Sequence, residues 1–216
     1  MMELFERYDT VLFDLDGTLS ESGEGILYAV RKIFEETNRE LPDEKELAAF
    51  IGPPMYDSLI RCGFSHEEAE QGVVIYKKHF VDKGIYMQKV YDGIPQVLVA
   101  LKNSGRKLAV ATSKFEPFSR KIIKMLGLEE YFDFVGGATS GPERRTKAKV
   151  IEYTIEFLGA EAERTVLIGD TRFDAKGAKE AGVHFIGCLY GYGTKKEMTD
   201  FFPSAPFVSL PHDLIS

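Results

Sequence analysis

This 216-residue chain is poor in cysteine, carries no basic excess and has no long apolar run. Its two cysteines, Cys62 and Cys188, lie far apart in sequence. They make neither a disulfide framework nor a metal cluster. Both are expected as buried thiols in a reducing compartment. The four histidines, His66, His79, His184 and His212, show no metal-ligand spacing. The net charge is -7, from 27 basic and 34 acidic residues. A nucleic acid polymer would call for a basic field, and none is present. A phosphorylated small molecule is not excluded, because a local lysine and a metal can supply positive charge. No apolar stretch approaches the roughly 18 residues that a membrane span needs. The amino terminus, MMELFERYD, lacks a signal-peptide pattern. The expectation is a cytoplasmic protein with no membrane partner. No interface stripe stands out, which leaves a monomer or weak homodimer.

What is present begins with DTVLFDLDGTLSES, residues 9 to 22. The apolar run Val11-Leu12-Phe13 has the character of a buried parallel strand. It stops at Asp14. In open α/β sheets, ligands bind at the carboxyl ends of strands. Asp14 and Asp16 stand two apart, so extended backbone turns them to one side. Two like charges at close range need compensation. A hard cation such as Mg2+ is the usual partner of such oxygens. Gly17 suits a turn, or a close approach of backbone to ligand.

Downstream, strand and helix patterns alternate. Strands are predicted at 107–112, 132–135, 164–168 and 183–189, with a small edge strand at 207–208. Helices are predicted at 92–102, 117–126, 147–158 and 175–181, and a further turn at 199–202. This order argues for a Rossmann-like α/β fold: a parallel sheet with helices on both faces. Residues 20–89 read differently. Helical spacing recurs over 25–36, 43–50, 55–62 and 65–81, with Ser65 and Glu68 in a capping-box pattern. No strand is predicted there. An all-helical block of that length is no ordinary crossover. It reads as a cap inserted into a core made of residues 1–19 and 90–216.

Four places carry side chains fit for chemistry: Asp14 with Asp16, Thr112 with Ser113, Lys147, and Asp170 with Asp174. Strand order brings all but Lys147 to one edge of the sheet, and Lys147 starts a helix that can reach it. Asp14 is placed to attack phosphorus as a nucleophile. Asp16 can protonate a leaving oxygen and then deprotonate water. Thr112 offers a hydroxyl and nearby backbone N–H groups to a phosphate oxygen. Lys147 neutralises charge on the equatorial oxygens. Asp170 would bind Mg2+ with Asp14 and the carbonyl of Asp16. Asp174 joins the surroundings of the metal, orients Asp170, or caps the next helix. Gly17, Thr18 and Ser113 are candidate substrate contacts. So, in the cap, are the Gly52-Pro53-Pro54 loop, Tyr56, Arg61, Lys77 and Lys78.

On DLDGTL (14–19), ATS (111–113), Lys147 and GDTRFD (169–174), the chain resembles the haloacid dehalogenase-like hydrolase superfamily. SGEGI, IGPPMYDSL, VYDGI, ATSK (111–114) and LYGYG add similarity to its phosphoglycolate phosphatase-like and bacterial 5'-nucleotidase-like members. The resemblance implies an aspartyl-phosphate mechanism with Asp14 as nucleophile, Asp16 as acid and base, Thr112 as phosphate binder, Lys147 as stabilising lysine and Asp170 as metal ligand. It implies a Mg2+-dependent phosphomonoesterase acting on a small phosphorylated metabolite. Two departures stand out: Glu21 replaces a common aspartate, and ATSGPERR (138–145) replaces a serine-rich loop. Asp16 speaks against halide displacement, which needs no acid for its leaving group. A phosphomutase and a phospho-acceptor signalling domain are the alternatives.

Overall fold

The computed structural model describes residues 3–216. The chain divides into two compact units. One runs up to Ser20 and resumes from Val90 to Ser216; the other is Glu21–Lys89. In chain order the strands are β1 (Thr10–Phe13), β2 (Ser20–Glu21), β3 (Lys89–Val90), β4 (Lys107–Phe115), β5 (Phe134–Ala138), β6 (Thr165–Gly169), β7 (His184–Cys188) and β8 (Phe207–Val208). The α-helices are α1 (Gly23–Glu36), α2 (Glu44–Ala48), α3 (Met55–Arg61), α4 (His66–Asp82), α5 (Ile94–Asn103), α6 (Glu116–Met125), α7 (Lys147–Leu158), α8 (Arg172–Glu180) and α9 (Lys195–Thr199).

The first unit is a Rossmann-like α/β layer. Its six-stranded sheet has the order β5-β4-β1-β6-β7-β8, and every pairing is parallel. β1 sits in the interior, between β4 and β6. Leu12, Ala109, Leu167 and Phe185 build one buried cluster with Val150 and Ile151 of α7 and Ala175 and Ala178 of α8. Their alternates Val11, Phe13, Val110, Val166 and Ile168 are buried as well. Strands apolar on both faces need cover on both, which is why helices flank this sheet. The chain builds outward from β1 to β4 and β5, then crosses back to β6. That reversal opens the crevice at the carboxyl ends of β1, β4 and β6.

The second unit is helical. α1 buries Ile26, Ala29, Val30, Ile33 and Phe34, and it packs mainly on α4. Phe34 meets Phe50 and Phe64 edge-on, with centroids 6.1 and 5.5 Å away. The predicted capping box opens α4: Ser65 Oγ accepts from Glu68 N, and Ser65 N donates to Glu68. α1 also runs against Gly84 so closely that a Cβ on Gly25 would overlap the Gly84 carbonyl. Where the chain passes between the units, β2 and β3 pair as a two-stranded sheet. These two-residue strands correct the strand-free reading of 20–89. Among the described residues no helix is long and apolar enough to cross a membrane.

Other boundaries shift for local reasons. β4 runs past Thr112 to Phe115, through an irregular register. β5 starts at Phe134 rather than 132 and includes Gly136 and Gly137. α8 starts at Arg172, three residues ahead of the expected Ala175, because Thr171 caps it. The last helix is Lys195–Thr199, not 199–202, with Thr194 and Glu197 forming its capping box. Cys188 is buried as expected, but Cys62 is only half-buried.

Gly25→Ala should force backbone apart inside the helical unit. Such overpacking costs about 1–3 kcal/mol. A urea titration followed by circular dichroism should show the loss, and an unchanged midpoint would exclude the close packing described.

Candidate active site

The candidate site lies at the carboxyl edge of the sheet. β1 delivers Asp14, whose N–H donates to the Ile168 carbonyl of β6 at 2.9 Å. β6 delivers Asp170. α7 opens with Lys147, its N-cap Thr146 accepting from Lys149 N. α8 delivers Asp174 from its first turn. All four side chains are buried, and Asp170 and Asp174 have no exposed surface at all.

Lys147 Nζ joins the cluster. It donates to Asp14 Oδ1 at 2.7 Å and to the Ala111 carbonyl at 3.1 Å. It also lies 2.7 Å from Asp174 Oδ1 as an ion pair, without hydrogen-bond alignment. Asp174 Oδ2 accepts from Thr171 N at 2.9 Å and Thr171 Oγ1 at 2.7 Å. Asp174 is therefore not the N-cap of α8 but the reciprocal partner in its capping box. Asp170 accepts from Thr18 Oγ1 at 3.1 Å and Tyr192 N at 2.8 Å. The Tyr190 hydroxyl donates to the Thr18 carbonyl at 3.1 Å, holding the same loop.

Gly17 adopts a positive φ of 86°. A Cβ there would overlap Asp170 and the Tyr192 ring. Turn and close approach both require glycine at this point.

The electrostatics follow from burial. Asp14 is pushed up to about 6, first by burial and then by the charge of Asp174, with Lys147 pulling the other way. Asp170 is raised well above the carboxylate range by burial, then by Asp174 and Asp14. Burial alone would push Lys147 down, but Asp14 and Asp174 outweigh it and hold it above the usual lysine range.

Asp14, Asp170 and Asp174 each present an oxygen, all within 4.8 Å of one another. Three carboxylates against one ammonium leave negative charge uncompensated. An all-oxygen, over-charged, buried donor set fits a divalent cation.

The remaining candidates are placed as follows. Asp16 is buried, and its Oδ2 accepts from Lys114 Nζ at 2.7 Å. Thr112 is buried and its Oγ1 accepts from Lys114 N at 3.3 Å. Ser113 is half-buried beside it. Gly52, Pro53 and Arg61 belong to the helical unit. There Arg61 Nη2 donates to the Ala49 carbonyl at 2.8 Å. Sequence reasoning places Lys114 at the carboxyl end of the strand predicted at 107–112, within ATSK, but assigns it no chemical role. The signal available was a lysine two residues after the strand-end threonine. A separate cavity of about 290 Å³ lies at the opposite edge of the sheet, lined by Asp9, Lys107 and Arg164. There Asp9 pairs with Arg164, and Lys107 donates to the Leu158 carbonyl.

Residues 11–188 match the family model described as haloacid dehalogenase-like hydrolase. The chain belongs to this hydrolase family. Its relatives put it in the phosphoglycolate phosphatase and 5'-nucleotidase-like branch. The hydrolase is 36% identical to a 5'-nucleotidase of Pseudomonas aeruginosa over 199 residues, covering 92% of this chain and 90% of that one. It is 35% identical to a tyrosine-protein kinase of Mycobacterium tuberculosis over 188 residues, 87% of this chain. The match spans only 64% of the kinase's length. It superposes on the crystal structure of a predicted phosphatase from Clostridium acetobutylicum with a TM-score of 0.89, at 36% identity and 94% coverage of both chains.

Divalent cations should stabilise this hydrolase, and more so above pH 6 than below. Protons compete for the carboxylates: Asp14, raised to about 6, is protonated below that pH and charged above it. Thermal melts with and without Mg2+ at pH 5 and pH 8 measure the difference. Asp170→Asn should abolish most of the shift. An equal shift at both pH values, or one untouched by the substitution, would rule out a cation on these carboxylates.

Proposed function

We propose that this hydrolase is a Mg2+-dependent phosphomonoesterase acting on a small phosphorylated metabolite of the phosphoglycolate or nucleoside monophosphate type. The observation that carries the reading is the buried Asp14 carboxylate, held 2.7 Å from Lys147 Nζ with two further carboxylates in reach of one cation. Asp14 attacks phosphorus and holds the phosphoryl group as an aspartyl phosphate. Asp16 hands a proton to the departing oxygen, then takes one from the attacking water. Lys147 favours the ionised form of Asp14 and faces the charge that spreads over the phosphoryl oxygens. Thr112 and Ser113 of β4 are suited to hold the phosphate, with Gly17 and Thr18 as further candidate contacts. Asp14, Asp170 and the carbonyl of Asp16 would hold Mg2+, with Asp174 beside them. The ion supplies charge neutralisation for the phosphate.

Residues 20–89 are assigned as the cap that selects the leaving group, with Gly52, Pro53 and Arg61 as its substrate-facing candidates. The net charge of -7 supports a small-molecule substrate over a nucleic acid polymer. The two free cysteines support a reducing, cytoplasmic setting and the sequence supports no membrane role. A monomer or weak homodimer remains our reading of the assembly.

The identity to the mycobacterial kinase favours one second reading. The phosphoryl group on Asp14 would then pass to an acceptor hydroxyl instead of water. Phosphate release from a panel of phosphorylated metabolites, with and without Mg2+, separates the two. Free phosphate matching the alcohol product is expected, with turnover reduced to background by Asp14→Asn. Full activity in that variant would refute the nucleophile. Phosphate recovered on an acceptor would favour transfer over hydrolysis.

A further inference from the structure

The pairing of Asp16 with Lys114 goes beyond this reading while resting on it. It begins in the backbone of β4. Thr112 pairs with Gly137, and the next pair is Phe115 with Ala138. Ser113 and Lys114 therefore have no counterpart on β5. Such a bulge re-aims the side chains it carries. The Thr112 hydroxyl closes it by accepting from Lys114 N. Gly137 makes room for it: a Cβ there would stand 2.8 Å from the Lys114 carbonyl and 2.7 Å from Glu116 Cα.

The result is a buried ion pair. Lys114 Nζ meets Asp16 Oδ2 at 2.7 Å, with 7% and 11% of the two side chains exposed. Asp16 Oδ1 is buried and has no hydrogen-bond partner among the described residues. The two oxygens of one carboxyl group are thus made unlike. An ammonium held against Oδ2 leaves no room for a second proton on that atom. Rotating the carboxyl group to exchange its oxygens would break the ion pair.

We propose that Lys114 is a positioning residue that confines proton transfer to Oδ1 of Asp16. In the first half-reaction the Asp14–phosphorus bond forms and the ester P–O bond breaks. The proton on Oδ1 moves to the departing alkoxide, which leaves as the alcohol. In the second, water attacks phosphorus, its proton returns to Oδ1, and the Asp14–phosphorus bond breaks to release phosphate. One atom gives and receives, and Lys114 keeps it in place throughout. A misplacement of about 1 Å at such a group costs on the order of a hundredfold in rate.

The dependence on leaving group tests this. A nitrophenolate departs without help, whereas an alkoxide needs the acid. Single-turnover rates of the full chain with Mg2+ are measured on 4-nitrophenyl phosphate and on the better of phosphoglycolate and AMP. Lys114→Met should slow the alkyl ester about tenfold or more and the nitrophenyl ester by less than about threefold, with KM unchanged. Lys114→Arg should recover part of the alkyl-ester rate, and the retained nitrophenyl rate reports that the fold is intact. If the methionine variant does not fold, Lys114→Gln is held to the same criteria. Equal losses on both esters, no loss on either, or a change confined to KM would overturn the proposal. Asp16→Asn must show the same split more strongly. If it does not, the acid role of Asp16 falls first, and the result is distinguishable from a failure at Lys114.

Discussion

The rest of this structure depends on gathering negative charge where water is excluded. Asp14, Asp170 and Asp174 share a buried site with a single ammonium, Lys147. Burying an ion costs several kcal/mol even after relaxation, so each charge must find partners. The partners come from every element that meets there. Lys147 arrives from the first turn of α7. Thr18 and Tyr192 supply a hydroxyl and an N–H to Asp170. Thr171 supplies one of each to Asp174. The rigid sheet beneath, with β1 and β6 wholly buried, is what holds these groups in register.

Glycines make that density possible. A Cβ on Gly17 or Gly191 would overlap Asp170, and one on Gly177 would overlap the Lys147 stem. A Cβ on Gly169 would stand 2.5 Å from that of Asp174. Charged side chains here rest on bare backbone. The sequence therefore sets a glycine directly beside an acid, as in DLDG and GDTRFD. The spacing reflects packing as much as chemistry.

That pattern makes the cluster of buried acids legible in the sequence. A buried strand followed at once by an acid, twice over, names Asp14 and Asp170 and the edge of the sheet they share. Helix starts with clear caps, such as Ser65 with Glu68, were equally plain. The less legible parts depend on tertiary contact. Gly136 and Gly137 read as the end of a strand, yet they lie inside β5. Thr154 crowds the first and Glu116 the second, so only glycine fits. The polar Ser113 and Lys114 carry no strand periodicity, and β4 continues through them only because its bulge is closed by Thr112 and accommodated by Gly137. Asp174 read as a cap for a helix starting at Ala175. The helix starts earlier because Thr171 and Asp174 satisfy each other across its first turn.

Asp174 and Asp170 then separate in character. Asp174 Oδ2 accepts two hydrogen bonds, and its Oδ1 faces the Lys147 ammonium. Asp170 meets only neutral donors, one hydroxyl and one N–H. It is nonetheless fully buried beside two other carboxylates, and its proton affinity is raised accordingly. The fold thus provides Asp174 with its own counter-charge and leaves Asp170 without one. When Asp170 is ionised, a divalent cation in reach of it and of an Asp14 oxygen would balance its charge.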